Sequence, residues 1–111
     1  MTLQRGEVVL IPFPFTDHSA HKRRPVLVLT DPDEYEDFLG VAITSQPGHA
    51  DGIALSDTDF QEGRLPKPSW LRSARVYTLN RDNIVGLFGQ LKPEAMARLQ
   101  AEVCRQLGCR P

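Results

Sequence analysis

The apolar runs of this 111-residue chain predict a mainly β fold: a small barrel or half-barrel with a single α-helix packed on it at the C-terminal end. Three observations carry that prediction. Short apolar segments recur along most of the chain, separated by turns rich in Gly, Pro, Asn and Asp. One of them, Val26-Leu27-Val28-Leu29, is β-branched at alternate positions and too short for a helix, which marks a central strand covered on both faces. Only the stretch from Pro93 to Leu107 shows a helical period, with Met96, Leu99, Val103 and Leu107 forming one stripe.

Taken in order, the first strand should run from about Gly6 to Phe13. Pro12 and Pro14 lie two apart, so one edge of the strand cannot donate there, and its end should pair on one side only. The residues from Thr16 to His21 read as an open polar loop. A second strand follows from Pro25 to Thr30, then an acidic loop, Asp31-Pro32-Asp33-Glu34-Tyr35-Glu36-Asp37. Leu39 to Thr44 reads as a buried third strand that ends in hydroxyls. Ser45 to Gly52 is a turn by composition, and Ile53-Ala54-Leu55 a short fourth strand. Ser56 to Pro68 has no period and reads as loop. Ser69-Trp70-Leu71 and Ala74 to Leu79 form either two short strands or one bulged strand. After a turn at Asn80-Arg81-Asp82-Asn83, Ile84 to Leu91 is the last strand, where Gly86 and Gly89 mark bulges or close backbone approach. Pro93 suits the first helical position and Gly108 the helix end.

Length and composition set the bounds. A chain of this size makes one domain, residues 1–111, able to bury roughly two-thirds of its unfolded surface. Its 41% hydrophobic and 24% charged content is that of a soluble globular protein. Lys and Arg number 13 against 14 Asp and Glu, so no bulk positive field exists and any nucleic-acid site must be local. The basic cluster His21-Lys22-Arg23-Arg24 is the place to look. Cys104 and Cys109 have no partner motif beside them, which predicts neither a zinc site nor a disulfide framework. No signal segment or membrane-length apolar run is present, so a reducing cytoplasm is the expected compartment.

The basic cluster runs through Pro25 into the central strand. Proline fixes its own φ and pushes Arg24 towards an extended backbone, which gives the guanidinium a defined base. That suits an anion site; the plainer alternative is a solvated turn that introduces a strand. Gly6-Glu7-Val8-Val9-Leu10-Ile11-Pro12-Phe13-Pro14-Phe15-Thr16-Asp17, followed by Lys22-Arg23-Arg24-Pro25-Val26-Leu27-Val28-Leu29, resembles the opening of the PemK/MazF-like toxins of bacterial toxin–antitoxin systems. Ala42-Ile43-Thr44-Ser45-Gln46 is similar to the family's third-strand motif. The second half matches more loosely, through Pro68 to Arg72 and Val76 to Leu79.

The resemblance implies an SH3-like barrel with a C-terminal helix, a homodimer, a cognate antitoxin, and metal-independent cleavage of single-stranded RNA without a cofactor. In that reaction the ribose 2′-oxygen attacks the adjacent phosphorus. It requires a base for the 2′-hydroxyl, an acid for the departing 5′-oxygen and donors for the phosphoryl oxygens. Carried over by motif, Arg24 would hold the phosphate through its two-pronged fork, and Thr44 would donate to a non-bridging oxygen. The alternative for Thr44 is a strand-end hydroxyl satisfied by neighbouring backbone, with Ser45 as its substitute.

His18 and His21 are candidate proton shuttles, since some plasmid-encoded members carry a histidine in this loop; the alternative is plain solvent exposure. His49, in a Gly-flanked turn, reads as surface. Lys22, Arg23 and Arg72 are candidate RNA-binding cations, and Trp70, beside Arg72, is the best candidate to stack on an unpaired base rather than join the core. One departure stands out. Plasmid-encoded members use an arginine and an aspartate two residues later, whereas this chain has Arg72-Ser73-Ala74, so the general base is left unassigned. A rival reading is a non-catalytic toxin of the related barrel that grips a protein such as DNA gyrase. A degenerate member that only sequesters its partner is a third.

Overall fold

The computed structural model describes residues 2–13 and 22–109. Seven strands and one helix follow in order: β1 (Glu7–Phe13), β2 (Lys22–Val28), β3 (Asp37–Thr44), β4 (Gly52–Leu55), β5 (Phe60–Gly63), β6 (Ser69–Asn80), β7 (Gly86–Leu91) and α1 (Pro93–Leu107). They form one antiparallel sheet in the order β4-β6-β3-β2-β1-β7-β5, curled into a half-barrel around the helix.

β2 is the middle strand, and its apolar run is covered on both faces as its β-branched pattern predicts. Leu27 joins the cluster under the helix, with Val8, Val41, Ile43, Leu71 and Leu99. Val26 and Val28 join the opposite cluster, with Val9, Ile11, Phe13 and Phe38. All three β2 residues are fully buried. The strand starts at Lys22, earlier than expected, so Arg24 and Pro25 lie inside it, opposite Ile11 and Leu10 of β1. On its other side β2 meets β3 only from Val26 to Val28. Pro25 has no N–H to offer a ladder, and beyond it the two strands part.

Pro12 of β1 acts similarly. The ladder of β1 with β7 ends at Leu10, and Ile11 to Phe13 pair with β2, consistent with the donor missing at Pro12.

β6 is one long bulged strand. In its ladder with β3, the register steps from Val41↔Val76 to Ile43↔Leu71, so Arg72 to Arg75 bulge out of the pairing. The segment expected to be loop after Ser56 instead holds a 3-10 turn, Asp57–Asp59, and the edge strand β5. Only Phe60 of β5 is buried, so no alternation announced it. Its pairing depends on two glycines. A Cβ on Gly89 would lie 2.1 Å from the Glu62 carbonyl oxygen, and one on Gly63 would lie 2.0 Å from that of Phe88. The close approach expected at Gly89 is therefore present.

The helix has the predicted ends, with Pro93 in its first turn and Gly108 left-handed at φ 78°. Ala95, Met96, Leu99 and Val103 are buried. Leu107, expected in the stripe, is 68% exposed because the last turn runs past the cluster the helix covers. The cysteine reading also needs correction: Cys104 and Cys109 are disulfide-bonded, with Cα atoms 5.1 Å apart. Gly108 reverses the chain so that Cys109 N–H donates to the Cys104 carbonyl, which brings together two thiols whose spacing matches no common motif.

Candidate nucleic-acid cleft

Where β2 and β3 part, two clefts meet. The first, about 270 Å³, is lined by Lys22, Arg23, Arg24, Thr44, Ser45 and Lys67 over an apolar floor that includes Leu10, Ile43 and Phe88. The second, about 370 Å³, is lined by Arg24, Thr44, His49, Arg72, Arg75 and Tyr77. Arg24, Ile43, Thr44 and Gln46 border both, so the two form one groove with the Arg24–Thr44 pair at its waist.

Six cations line this groove, Lys22, Arg23, Arg24, Lys67, Arg72 and Arg75, and no carboxylate lies among its described lining residues. They are nearly half of the 13 Lys and Arg of a chain with net charge −1. The fold has thus concentrated positive charge that the composition hides, which favours a polyanion in the groove.

Each candidate has a definite place. Arg24 is half-buried within β2 and Thr44 is 9% exposed at the end of β3. The Thr44 Oγ1 accepts a hydrogen bond from Gln46 N at 3.1 Å, the backbone partner expected of a strand-end hydroxyl. That bond uses the oxygen as acceptor and leaves the hydroxyl proton free to donate into the groove. Lys22, Arg23 and Ser45 are exposed on the rim. Arg72 reaches the groove from the β6 bulge, and Arg75 from the same bulge was missed by sequence reasoning. Trp70 is half-buried between Thr44 of β3 and Ala54 of β4 in the register, and is not among the groove's lining residues. The aromatics that do line it are Phe88 and Tyr77, the latter ring 5.4 Å from that of Phe13. His18 and His21 lie outside the described residues. His49, read from sequence as surface, is exposed but faces the groove.

A carboxylate supports the bulge from behind. Asp51, in the β3–β4 connection, accepts from Arg72 Nε at 2.9 Å and from Ala74 N at 3.1 Å, while its carbonyl accepts from Ser73 N and Ser73 Oγ. With Nε so engaged, the guanidinium is fixed from one side. Burial pushes the Asp51 carboxyl up, but the Ala74 N–H and the Arg72 guanidinium outweigh it and hold the group below its ordinary value of 3.8.

Asp51→Ala should therefore destabilise the fold by about 1–3 kcal/mol near neutral pH, since it strands a guanidinium and a backbone N–H. A depressed carboxylate contributes stability that is fully present above its unfolded pKa and is lost as pH falls through the folded one. The gap in denaturation midpoint between wild type and variant should accordingly narrow in acid below about pH 4; a constant gap would deny the carboxylate's charge a part.

Comparison with known proteins decides the family. A family model described as "PemK-like, MazF-like toxin of type II toxin-antitoxin system" matches residues 4–107. The chain belongs to this toxin family. Similar structures include a mycobacterial endoribonuclease in complex with its cognate antitoxin, at 17% identity and TM-score 0.77, covering 98% of each chain. A MazE-MazF structure from Deinococcus radiodurans has 16% identity and TM-score 0.77, covering 99% of this chain and 100% of that one. The Mycobacterium tuberculosis toxin MazF-mt6 has 16% identity and TM-score 0.72, covering 95% and 99%. None of the curated protein sequences compared matches the chain. At these identities the structural likeness speaks for the fold, and it agrees with the MazF-like half-barrel found here. No helix among the described residues is long and apolar enough to cross a membrane.

Proposed function

We propose that this MazF-like chain is a single-domain toxin that cleaves single-stranded RNA without a metal ion, by driving a ribose 2′-oxygen onto the adjacent phosphorus. One observation carries the reading: six cations and the Thr44 hydroxyl converge on one groove in an otherwise acidic chain. In this reading Arg24, at the waist, grips the phosphate with two aligned N–H groups. Thr44 donates its hydroxyl proton to a non-bridging oxygen, with Ser45 beside it. Lys22, Arg23 and Lys67 on one side, and Arg72 and Arg75 on the other, track the flanking backbone. Phe88 and Tyr77 offer apolar faces to unpaired bases. These protein donors bear the phosphoryl charge that a divalent ion would otherwise bear.

The proposal extends to a homodimer, to the cytoplasm, and to neutralisation by a cognate antitoxin whose acidic segment lies across the same cations. The antitoxin is supported by the family and by the antitoxin complexes among similar structures.

Purified protein incubated with a mixed-sequence RNA should leave 2′,3′-cyclic phosphate and 5′-hydroxyl ends at a short recurring sequence. Cleavage should persist in chelator and vanish on an all-deoxy strand. Chelator-sensitive cleavage would overturn the metal-independent route, and intact RNA would point instead to a toxin that grips a protein.

A further inference from the structure

We infer that His49 is the proton-transfer residue of this groove, the base that takes the 2′-hydroxyl proton. The inference rests on the RNA-cleaving reading and supplies, from the described residues, the base that the donors named above do not provide. Among the described residues lining the groove, the polar side chains are guanidinium, ammonium, hydroxyl, phenol, amide and one imidazole, and no carboxylate is present. Cations have no lone pair to offer, and hydroxyls, phenols and amides are poor proton acceptors at neutral pH. An imidazole both accepts and releases a proton there. His49 is the one imidazole of the described lining residues.

Its backbone is well placed. The His49 carbonyl accepts from Gly52 N at 3.0 Å, closing a turn in which a Cβ on Gly52 would lie 3.1 Å from that oxygen. Two residues after His49, Asp51 is tied to Arg72, Ser73 and Ala74 of the opposite wall. The imidazole thus stands on a turn anchored to β6, yet is exposed enough to exchange its proton with water. The charged and titratable groups around it are Arg24 from β2, Arg72, Arg75 and Tyr77 from β6, and Asp51 on its own turn, held in the Arg72 pair.

In the step proposed, the imidazole takes the proton of the 2′-hydroxyl and O2′ forms a bond to phosphorus. The P–O5′ bond breaks, and the electron pair leaves on O5′, which takes a proton from water. The imidazolium returns its proton to solvent. No oxidant or further reactant is needed.

Single-turnover cleavage between pH 5 and 8.5 tests this. His49→Gln should lose about 10²- to 10⁴-fold in rate with RNA affinity little changed, and the pH dependence of the wild-type rate should flatten. Added imidazole should restore part of the activity of His49→Ala. Thermal melts of both variants should match wild type. A His49→Gln enzyme with wild-type rate would overturn the inference while leaving RNA cleavage standing. So would one that is slow but keeps the wild-type pH limb, with no imidazole rescue of His49→Ala. A wild-type protein that leaves RNA intact would overturn the inference and the functional reading together.

Discussion

Arg24→Lys should slow RNA cleavage by about 10²- to 10³-fold, the usual cost of removing one preorganised donor from a developing oxyanion. Arg24 borders both halves of the groove beside Thr44, from a strand fully buried from Val26 to Val28, so its fork projects from a fixed base. Lysine keeps the charge and loses the planar pair of N–H groups. General attraction for RNA should survive, because five other groove cations remain, while the phosphoryl oxygens lose an aligned bond as charge builds on them. Stability should shift by about 1 kcal/mol or less, since the aliphatic stem of lysine replaces that of arginine in a half-buried position. The measurements are single-turnover rate, RNA affinity at fixed salt, and denaturation midpoint. An unchanged rate would make Arg24 a binding residue only, and a large stability loss would make it a structural one.

Leu99→Ala should cost about 2–5 kcal/mol, a large share of the stability of a domain this size. Leu99 is 0% exposed and packs α1 into the cluster of Leu27, Val41, Ile43 and Leu71. The same change at exposed Leu107 should stay within about 0.5 kcal/mol. Urea midpoints for the two variants check the contrast, and equal losses would refute the packing described. The first substitution also bears on the site, because Ile43 belongs to this cluster and to the groove floor. A looser core should therefore slow cleavage beyond what the unfolded fraction explains.

Much of the fold was legible because its signals are local. The alternation in Val26 to Leu29, Pro12 near the end of β1 and the 3.6-residue stripe of α1 depend on near neighbours, and a strand or helix formed over each, with β2 starting at Lys22 rather than Pro25. Strand β5 was not legible, because one buried residue in four makes no pattern and its pairing depends on a contact between Gly63 and Gly89. Leu107 was misread for the complementary reason: periodicity shows which face of a helix is apolar, and not where the surface it covers ends.

The site divides along the same line. Arg24 could be singled out from its own strand, as a cation beside a proline at a strand mouth, and Thr44 through its resemblance to the family's third-strand motif. His49, Arg75 and Asp51 could not. Their significance arises only where the β6 bulge lifts Arg72 to Arg75 out of the ladder and the β3–β4 turn folds back against it. The chain's near-neutral charge was plain from composition, but the gathering of six cations around one groove was not, since they come from β2, β6 and the segment before β6. The sequence by itself determined the family, the central strand, the helix and the two residues at the groove's waist. Only the tertiary structure decided which distant side chains share that groove, because charge and proton transfer act over a few ångströms through space and strand pairing sets those distances.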